Sequence, residues 1–213
     1  MSRTNSFIES LILKSQVMAD NIEGNEIIKT RFESFNITSE KITNFRNITN
    51  VVSSGYEQQI QQQANQSSAS SEVKRAWRSA RKTHTHDVKI ARSALDNEPD
   101  LLETLDANSA RKSDLAGWLA QANRFYDNSL NKPEILEKLT AYGLTEARLQ
   151  ASLQLVKDTE SAHTRHQDDI GMTQQARRDR DNNVERLVRE RRRLLAVGEA
   201  ALTDKPDLLE QLR

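Results

Sequence analysis

The chain matches itself at a fixed offset of 107 residues over nearly its whole length. The agreement is closest at segment 99–103, whose sequence P-D-L-L-E recurs unchanged at 206–210. A repeat is the strongest constraint on a fold because each copy is expected to form the same supersecondary unit. The sequence therefore predicts two equivalent helical repeats, residues 1–106 and 107–213, which together form one pseudo-two-fold unit.

The composition indicates an all-α protein made of solvated helices. Glycine occurs 6 times and proline 3 times in 213 residues, aromatic residues make up 5%, and the mean hydropathy is −0.76. The 31 basic residues balance the 31 acidic ones, so the net field favours neither nucleic acid nor an acidic membrane. The absence of cysteine excludes disulfides, thiol catalysis and thiolate metal sites.

Each repeat contains the start and stop signals of four helices. All three prolines are expected at the first position of a short helix, where their missing N–H costs no hydrogen bond: Pro99, Pro133 and Pro206. Gly143 and its counterpart Asn36 suit the left-handed residue that ends a helix. The predicted N-caps are Ser6, Ser113, Thr38 and Thr145, with Glu9 completing a capping box in the first repeat.

The third helix of each repeat is predicted to be long. Segments 38–95 and 145–202 contain no proline and carry apolar residues at a seven-residue period, which is typical of a coiled coil. In the first repeat the heptad positions hold Ile42, Thr49, Tyr56, Gln63, Ser70, Trp77, His84 and Ala91. We expect two long antiparallel coiled-coil helices with knobs of short helices at their ends. Aligned caps then pair Val52 with Val188, Tyr56 with Val184, and Trp77 with His163.

An alternative is that both long helices break near their middles. Segments 62–71 and 171–180 are rich in serine, asparagine, glutamine or glycine, and serine, asparagine and glycine are poor helix formers. Such breaks would give a compact bundle of shorter helices. The continuous form is favoured because Val52 and Val73, on either side of the weak zone, are three whole heptads apart.

One phrase at the ends of the repeats resembles a stretch in known proteins. Segments 91–105 and 198–212 are similar to an A-x-x-A-L-x-D-x-P-x-L-L-E-x-L stretch of uncharacterised bacterial all-helical proteins. The resemblance implies a helical architecture and no activity.

Two clusters of basic residues are candidates for binding an anion. The larger spans 177–193, and its candidate nucleic-acid contacts are Arg177, Arg178, Arg180, Arg189 and Arg192. The smaller surrounds Trp77 and consists of Lys74, Arg75, Arg78, Arg81 and Lys82. Acidic residues interleave the larger cluster, which favours ion pairs on a solvated helix face over phosphate binding.

Histidine provides the only candidate metal ligands. His163 and His166 are one helical turn apart and could share an ion if a third ligand converged on them. His84 and His86 point to nearly opposite sides of a helix and could not. We predict polar layers and surface positions for the four histidines, with neither a metal nor a cofactor.

No enzyme signature is present, since the chain lacks a Gly-rich phosphate loop, a nucleophile elbow and an H-E-x-x-H motif. We therefore expect a non-enzymatic structural or interaction protein that spaces or scaffolds protein partners of unknown identity. An anion or nucleic-acid binder using 177–193 and a metal-binding helical bundle are the alternatives. Homodimerisation through the long helices is a further option, whereas a membrane is not expected as a partner.

We do not expect a targeting signal in the N-terminal segment. Its apolar stretch within residues 1–16 is interrupted by Glu9 and is not followed by a small-residue cleavage site. We expect neither a signal peptide nor a membrane span, and we expect a cytoplasmic location.

Overall fold

The fold is all-α, as the sequence predicts. The computed structural model describes the backbone of residues 3–213 and the side chains from residue 5 onward, and this range contains eight helices and no strand. The helices are α1 (Arg3–Gly24), α2 (Glu26–Ser34), α3 (Ser39–Ala94), α4 (Pro99–Thr104), α5 (Leu115–Asn131), α6 (Pro133–Ala141), α7 (Glu146–Ala201) and α8 (Pro206–Glu210). The first two residues of the predicted repeat 1–106 lie outside the described residues.

The helix boundaries repeat with the period of the sequence. Both ends of α2 and α6 differ by 107 residues, and so do both ends of α3 and α7. Helices α4 and α8 begin at prolines with the same offset. These matching boundaries confirm that the fold is internally duplicated.

The long helices are continuous, so the alternative with breaks at 62–71 and 171–180 is wrong. Helices α3 and α7 each run for 56 residues through these polar segments. Polar side chains link the two helices there, because Thr173 Oγ1 donates a hydrogen bond to the Gln62 carbonyl at 3.3 Å. Arg180 Nη1 also donates to the side-chain oxygen of Gln59, Oε1, at 3.0 Å. Each of the two polar segments therefore makes hydrogen bonds to the other long helix.

The chain forms two compact units, and each unit contains parts of both sequence repeats. Unit 1 consists of Met1–Ala64 and Gly171–Arg213, and unit 2 consists of Asn65–Ile170. Each unit thus contains about half of α3 and half of α7. The division into repeats 1–106 and 107–213 stays a prediction about the sequence.

Unit 1 packs the two long helices antiparallel against α1, α2 and α8. Val52 and Tyr56 of α3 lie in the same apolar core as Val184 and Val188 of α7, and the predicted pairing of these residues stays a prediction. Met18, Ile28, Phe32, Leu202 and Leu212 are among the other residues that fill this core. The C-terminal segment is held beside α1, since Asn21 Nδ2 donates to the Gln211 carbonyl at 2.6 Å.

Unit 2 packs the other halves of the long helices against α4, α5 and α6. Its core contains Trp118, Phe125, Ile135, Leu139 and Leu149. Helices α3 and α7 are antiparallel here as well, because Glu72 pairs with Arg165 at 2.9 Å whereas Asp87, further along α3, accepts from Ser152, which comes earlier on α7. Trp77 lies against Trp118, with ring centroids 6.4 Å apart, and its pairing with His163 stays a prediction.

Most of the predicted helix ends are confirmed. Asn36 and Gly143 have positive φ values of 59° and 83°, as the left-handed position requires. The Thr145 hydroxyl accepts the backbone N–H of Arg148 at 3.4 Å, as expected for an N-cap.

The predicted caps of the first helix in each repeat are wrong. Helix α1 already begins at Arg3, so Ser6 lies inside it, and Glu9 accepts a hydrogen bond from the Tyr56 hydroxyl at 2.8 Å instead of completing a capping box. Helix α5 is capped by Asp114, whose carboxylate accepts the Gly117 N–H at 2.7 Å, and not by Ser113. A carboxylate is favoured at this end because it also interacts with the positive end of the helix dipole.

Within the described residues, no helix is both long enough and apolar enough to cross a membrane.

Candidate functional site

Four of the five residues of the smaller basic cluster line a cleft on unit 2, whereas Arg75 is exposed outside it. These four residues follow one face of α3, because spacings of three, four, seven and eight residues repeat the helical period. The cleft has a volume of about 480 Å³ and is lined by Lys74, Trp77, Arg78, Arg81, Lys82, Thr85 and, from the loop before α5, Arg111. We call this cavity the basic cleft.

The lining of the basic cleft is strongly cationic. The lining contains five cationic side chains and no carboxylate. Among the residues that the structure describes, none of these five cations forms an ion pair. Cations gathered around a concave surface attract anions, and arginine in particular pairs with phosphate or carboxylate oxygens in a bidentate manner.

The indole ring of Trp77 lines the basic cleft beside these charges. The Arg81 guanidinium is 5.5 Å from the ring centroid of Trp77, within the range of a cation–π interaction. Trp118, which contacts Trp77, is fully buried. The indole N–H groups of both tryptophans are buried and have no hydrogen-bond partner among the described residues.

His84 extends this row of aromatic rings into the interior of unit 2. It is 3% exposed, and its ring centroid lies 6.0 Å from that of Trp118 and 5.4 Å from that of Phe125. Burial lowers the pKa of His84 from 6.5 to about 4, and the nearby charge of Arg111 also lowers this pKa. The imidazole is therefore neutral at pH 7, and neither of its nitrogens has a hydrogen-bond partner among the described residues.

A second cavity of about 430 Å³, which we call the inner cavity, lies beside His84. It is lined by His84, Val88, Arg92, Asp106, Ala107, Asn108, Ser109, Ala110, Arg111 and Gln121. Arg111 lines both cavities, so the basic cleft and the inner cavity adjoin at this side chain. The loop that forms one wall is fastened to α3, because Arg92 Nε donates to the Ala107 carbonyl at 2.7 Å.

A buried polar network supports the same part of unit 2. Asp87 is fully buried, and its carboxylate accepts hydrogen bonds from the Tyr126 hydroxyl at 3.0 Å, the Ser152 hydroxyl at 2.9 Å and Arg148 Nη2 at 3.0 Å. Burial raises the pKa of Tyr126, and the adjacent Asp87 raises it further. The phenol therefore stays protonated and keeps donating to Asp87. The network joins α3, α5 and α7 around the aromatic rings.

The arginines of segment 177–193 lie on unit 1 and are not gathered in this way. Arg177, Arg178 and Arg192 are exposed, and Arg189 is 3.8 Å from Glu185. Arg180 donates to Asp181 at 2.6 Å and to Gln59. The larger basic cluster therefore shows the same-helix ion pairs that its interleaved acidic residues predict, at Arg180 and Arg189.

The candidate metal ligands do not come together with others. His163 and His166 are half-buried on the part of α7 that belongs to unit 2. Within the described residues, no group of three or more histidine, aspartate or glutamate side chains is placed to hold a metal ion.

Sequence reasoning found four cations of the basic cleft but missed two features of it. Arg111 reaches the cleft from the loop between α4 and α5. It is about 30 residues after Arg81 in the chain, so no local sequence pattern connects it with the cations of α3. His84 and Trp77 share a heptad position, so the sequence indicated that both lie on the same face of α3. It did not indicate that aromatic rings surround His84.

Comparison with protein-family models, with curated proteins and with solved structures finds no match to this chain. The geometry of unit 2 is therefore the basis for a function.

Proposed function

We propose that the protein is a non-enzymatic binding module that holds a phosphate-bearing ligand in the basic cleft of unit 2. The observation that carries the proposal is the set of five cations around one concave surface, none of which forms an ion pair with another described residue. Surface arginines and lysines commonly pair with nearby carboxylates, as Arg46 does with Asp20 and Glu23 in unit 1. Cations that converge without such partners are arranged for an external anion.

A phosphate group fits this cleft better than a single carboxylate does. Arg78, Arg81 and Arg111 each offer a fork of N–H donors, and the Thr85 hydroxyl adds a neutral donor. A phosphate carries up to two negative charges and three acceptor oxygens, so it can use several of these donors together. The cleft volume lies within the range of small-molecule sites, which is roughly 300–1,000 Å³.

The sequence predicts an interaction protein, with an anion site at 177–193 as an alternative. We now propose that the anion binds in the basic cleft instead. The arginines at 177–193 remain an alternative site, because their exposed side chains could still contact a polyanion. They also provide a matched comparison, since the two basic clusters lie on different units of the same chain.

A tryptophan fluorescence titration with inorganic pyrophosphate tests the proposal. The chain has 2 tryptophans, Trp77 and Trp118, and Trp77 lines the basic cleft, so occupancy should change the emission. We expect saturable binding that weakens as salt rises, because the attraction is electrostatic. The double variant Lys74→Gln/Arg78→Gln should bind about tenfold more weakly or worse, since charge-assisted hydrogen bonds contribute roughly 1.5–3 kcal/mol each.

The control is the double variant Arg177→Gln/Arg178→Gln, which removes the same number of charges from exposed positions on unit 1. It should bind pyrophosphate as the wild-type chain does. Absence of binding to the wild-type chain, or equal losses in the two double variants, would show that the basic cleft is not the anion site.

A further inference from the structure

We infer that the ligand is a phosphate ester whose polar organic part occupies the inner cavity while its phosphate binds in the basic cleft. This inference rests on the proposed function and adds the class of ligand. Two observations independent of the cleft charges carry it. One is a second cavity that adjoins the cleft at Arg111, and the other is a row of buried ring nitrogens without hydrogen-bond partners.

The unpartnered nitrogens favour a ligand-binding role for this region because buried polar groups are nearly always hydrogen-bonded. Trp77, Trp118 and His84 follow one another at ring-centroid distances of 6.4 and 6.0 Å, and none of their nitrogens has a partner among the described residues. Several in one place, beside cavities, indicate groups that a bound molecule satisfies.

The chemistry of the inner cavity is that of a neutral polar ligand. A neutral imidazole presents one donor and one acceptor, and Asn108 and Ser109 add amide and hydroxyl groups. Asp106 opposes Arg92 and Arg111 in the lining, so the inner cavity has a much smaller excess of positive charge than the basic cleft, which has five cations and no carboxylate. Sugars and heterocyclic bases, which carry donors and acceptors side by side, match such a lining.

Access to His84 needs a local movement. Its two ring nitrogens are shielded from solvent in the present conformation, although the residue lines the inner cavity. Residues 106–111 form much of the opposite wall and belong to a loop outside any helix. A shift of the lining side chains on binding would bring the ligand within hydrogen-bond distance.

Ligand pairs of matched phosphate content test the inference. ADP is compared with pyrophosphate, and ribose 5-phosphate with inorganic phosphate, by tryptophan fluorescence on the full chain. We expect at least one organic member to bind about tenfold tighter than its inorganic match, since a few neutral hydrogen bonds contribute roughly 1 kcal/mol each. The pair that shows the gain distinguishes a nucleotide from a sugar phosphate.

The variant His84→Phe should remove the advantage of the organic ligand and leave pyrophosphate affinity within about twofold of wild type. Imidazole ¹⁵N spectra provide a readout that does not depend on the folding of this variant. The His84 resonances should shift on addition of the tighter organic ligand and stay unchanged with pyrophosphate.

The outcomes separate the two proposals. Equal affinity within both pairs, or unmoved His84 resonances, would overturn the inference while pyrophosphate binding leaves the proposed function standing. Failure of every phosphate ligand would overturn both. A single-stranded 20-nucleotide DNA that binds tighter than ADP, with no effect of His84→Phe, would show that the cleft takes a polyanion and that the inner cavity has no part in recognition.

Discussion

Unit 1 and unit 2 use equivalent positions of the repeat for different purposes. At positions related by the 107-residue offset, Trp118, Tyr126 and Asp87 of unit 2 correspond to Leu11, Ala19 and Leu194 of unit 1. The unit 1 residues belong to a plain apolar core, whereas those of unit 2 form part of an aromatic and hydrogen-bonded cluster. One scaffold thus supports two kinds of interior.

The surfaces differ in the same way. Lys74 and Arg78 of the basic cleft correspond to Asp181 and Glu185 in unit 1, so two cations are replaced by two carboxylates. His84 corresponds to Arg191, whose Nε is also buried without a partner and whose pKa is lowered by burial. A basic side chain with a shielded nitrogen is common to both units at this position, but in unit 2 it lies beside aromatic rings and the basic cleft.

The largest effect is expected from Asp87→Leu, which introduces the residue that unit 1 has at this position. The change leaves the Tyr126 and Ser152 hydroxyls and the Arg148 guanidinium without their shared acceptor. Leaving the two buried hydroxyls without an acceptor costs about 1–3 kcal/mol each, whereas the Arg148 side chain, which is 39% exposed, is solvated by water. Urea denaturation should show a loss of unfolding free energy of this size.

The matched control exchanges Asp87 and its two hydroxyl partners for the residues that unit 1 has at these positions. The triple variant Asp87→Leu/Tyr126→Ala/Ser152→Phe copies Leu194, Ala19 and Phe45. It should recover more than half of the loss, because a well-packed apolar set can replace a buried ionic network at little cost. A triple variant as unstable as the single one would mean that the two interiors are not interchangeable.

The second-largest effect is a change of stability with pH. It arises in unit 2, where His84 is buried. His84 has a pKa of about 4 in the folded chain and about 6.5 when unfolded, so protonation favours the unfolded chain. The stability that neutral His84 provides is complete above pH 6.5 and falls by ~1.4 kcal/mol per pH unit toward pH 4. At pH 5 the unfolding free energy should be lower by ~2 kcal/mol.

Urea midpoints of wild type and His84→Phe between pH 7.5 and 4.5 measure this contribution. Arg111, Asp87 and Asp106 also influence the pKa of His84, and they are retained in both proteins. The difference between the two curves should therefore isolate His84. Parallel curves across this range would mean that His84 is not buried in a neutral form.

The smallest effect concerns the turns that end α2 and α6. Gly143 has a φ of 83°, and the same turn of unit 1 is made by Asn36 with a φ of 59°. Gly143→Ala should lower the unfolding free energy by about 1–2 kcal/mol, because a Cβ is strained in this region. Gly143→Asn should cost less than Gly143→Ala, since asparagine tolerates this region, and equal thermal shifts for the two would contradict the equivalence of the turns.

The sequence predicted the shared scaffold well and the difference between the units poorly. Helix ends such as Pro99, Pro206 and Gly143 follow from local chemistry that proline and glycine impose wherever they occur. The continuity of α3 followed from heptad phase, even though its serine-rich middle has low helix propensity.

The cleft depends on contacts that local patterns do not encode. The spacing of Lys74, Arg78, Arg81 and Lys82 indicated a cationic face, but the contribution of Arg111 depends on where the loop after α4 lies. Likewise Asp87 is polar in sequence, and its burial follows from partners on α5 and α7. Contacts between distant segments therefore decide which charged residues become a site.

The central claim is that unit 2, and not unit 1, holds the anion. The most direct test is a crystal soaked with tungstate, a heavy analogue of phosphate, with anomalous scattering used to locate the metal atom. The account predicts a peak within hydrogen-bond reach of the side chains of Lys74, Arg78 and Arg111. A peak at the arginines of 177–193 with none in the basic cleft would contradict it.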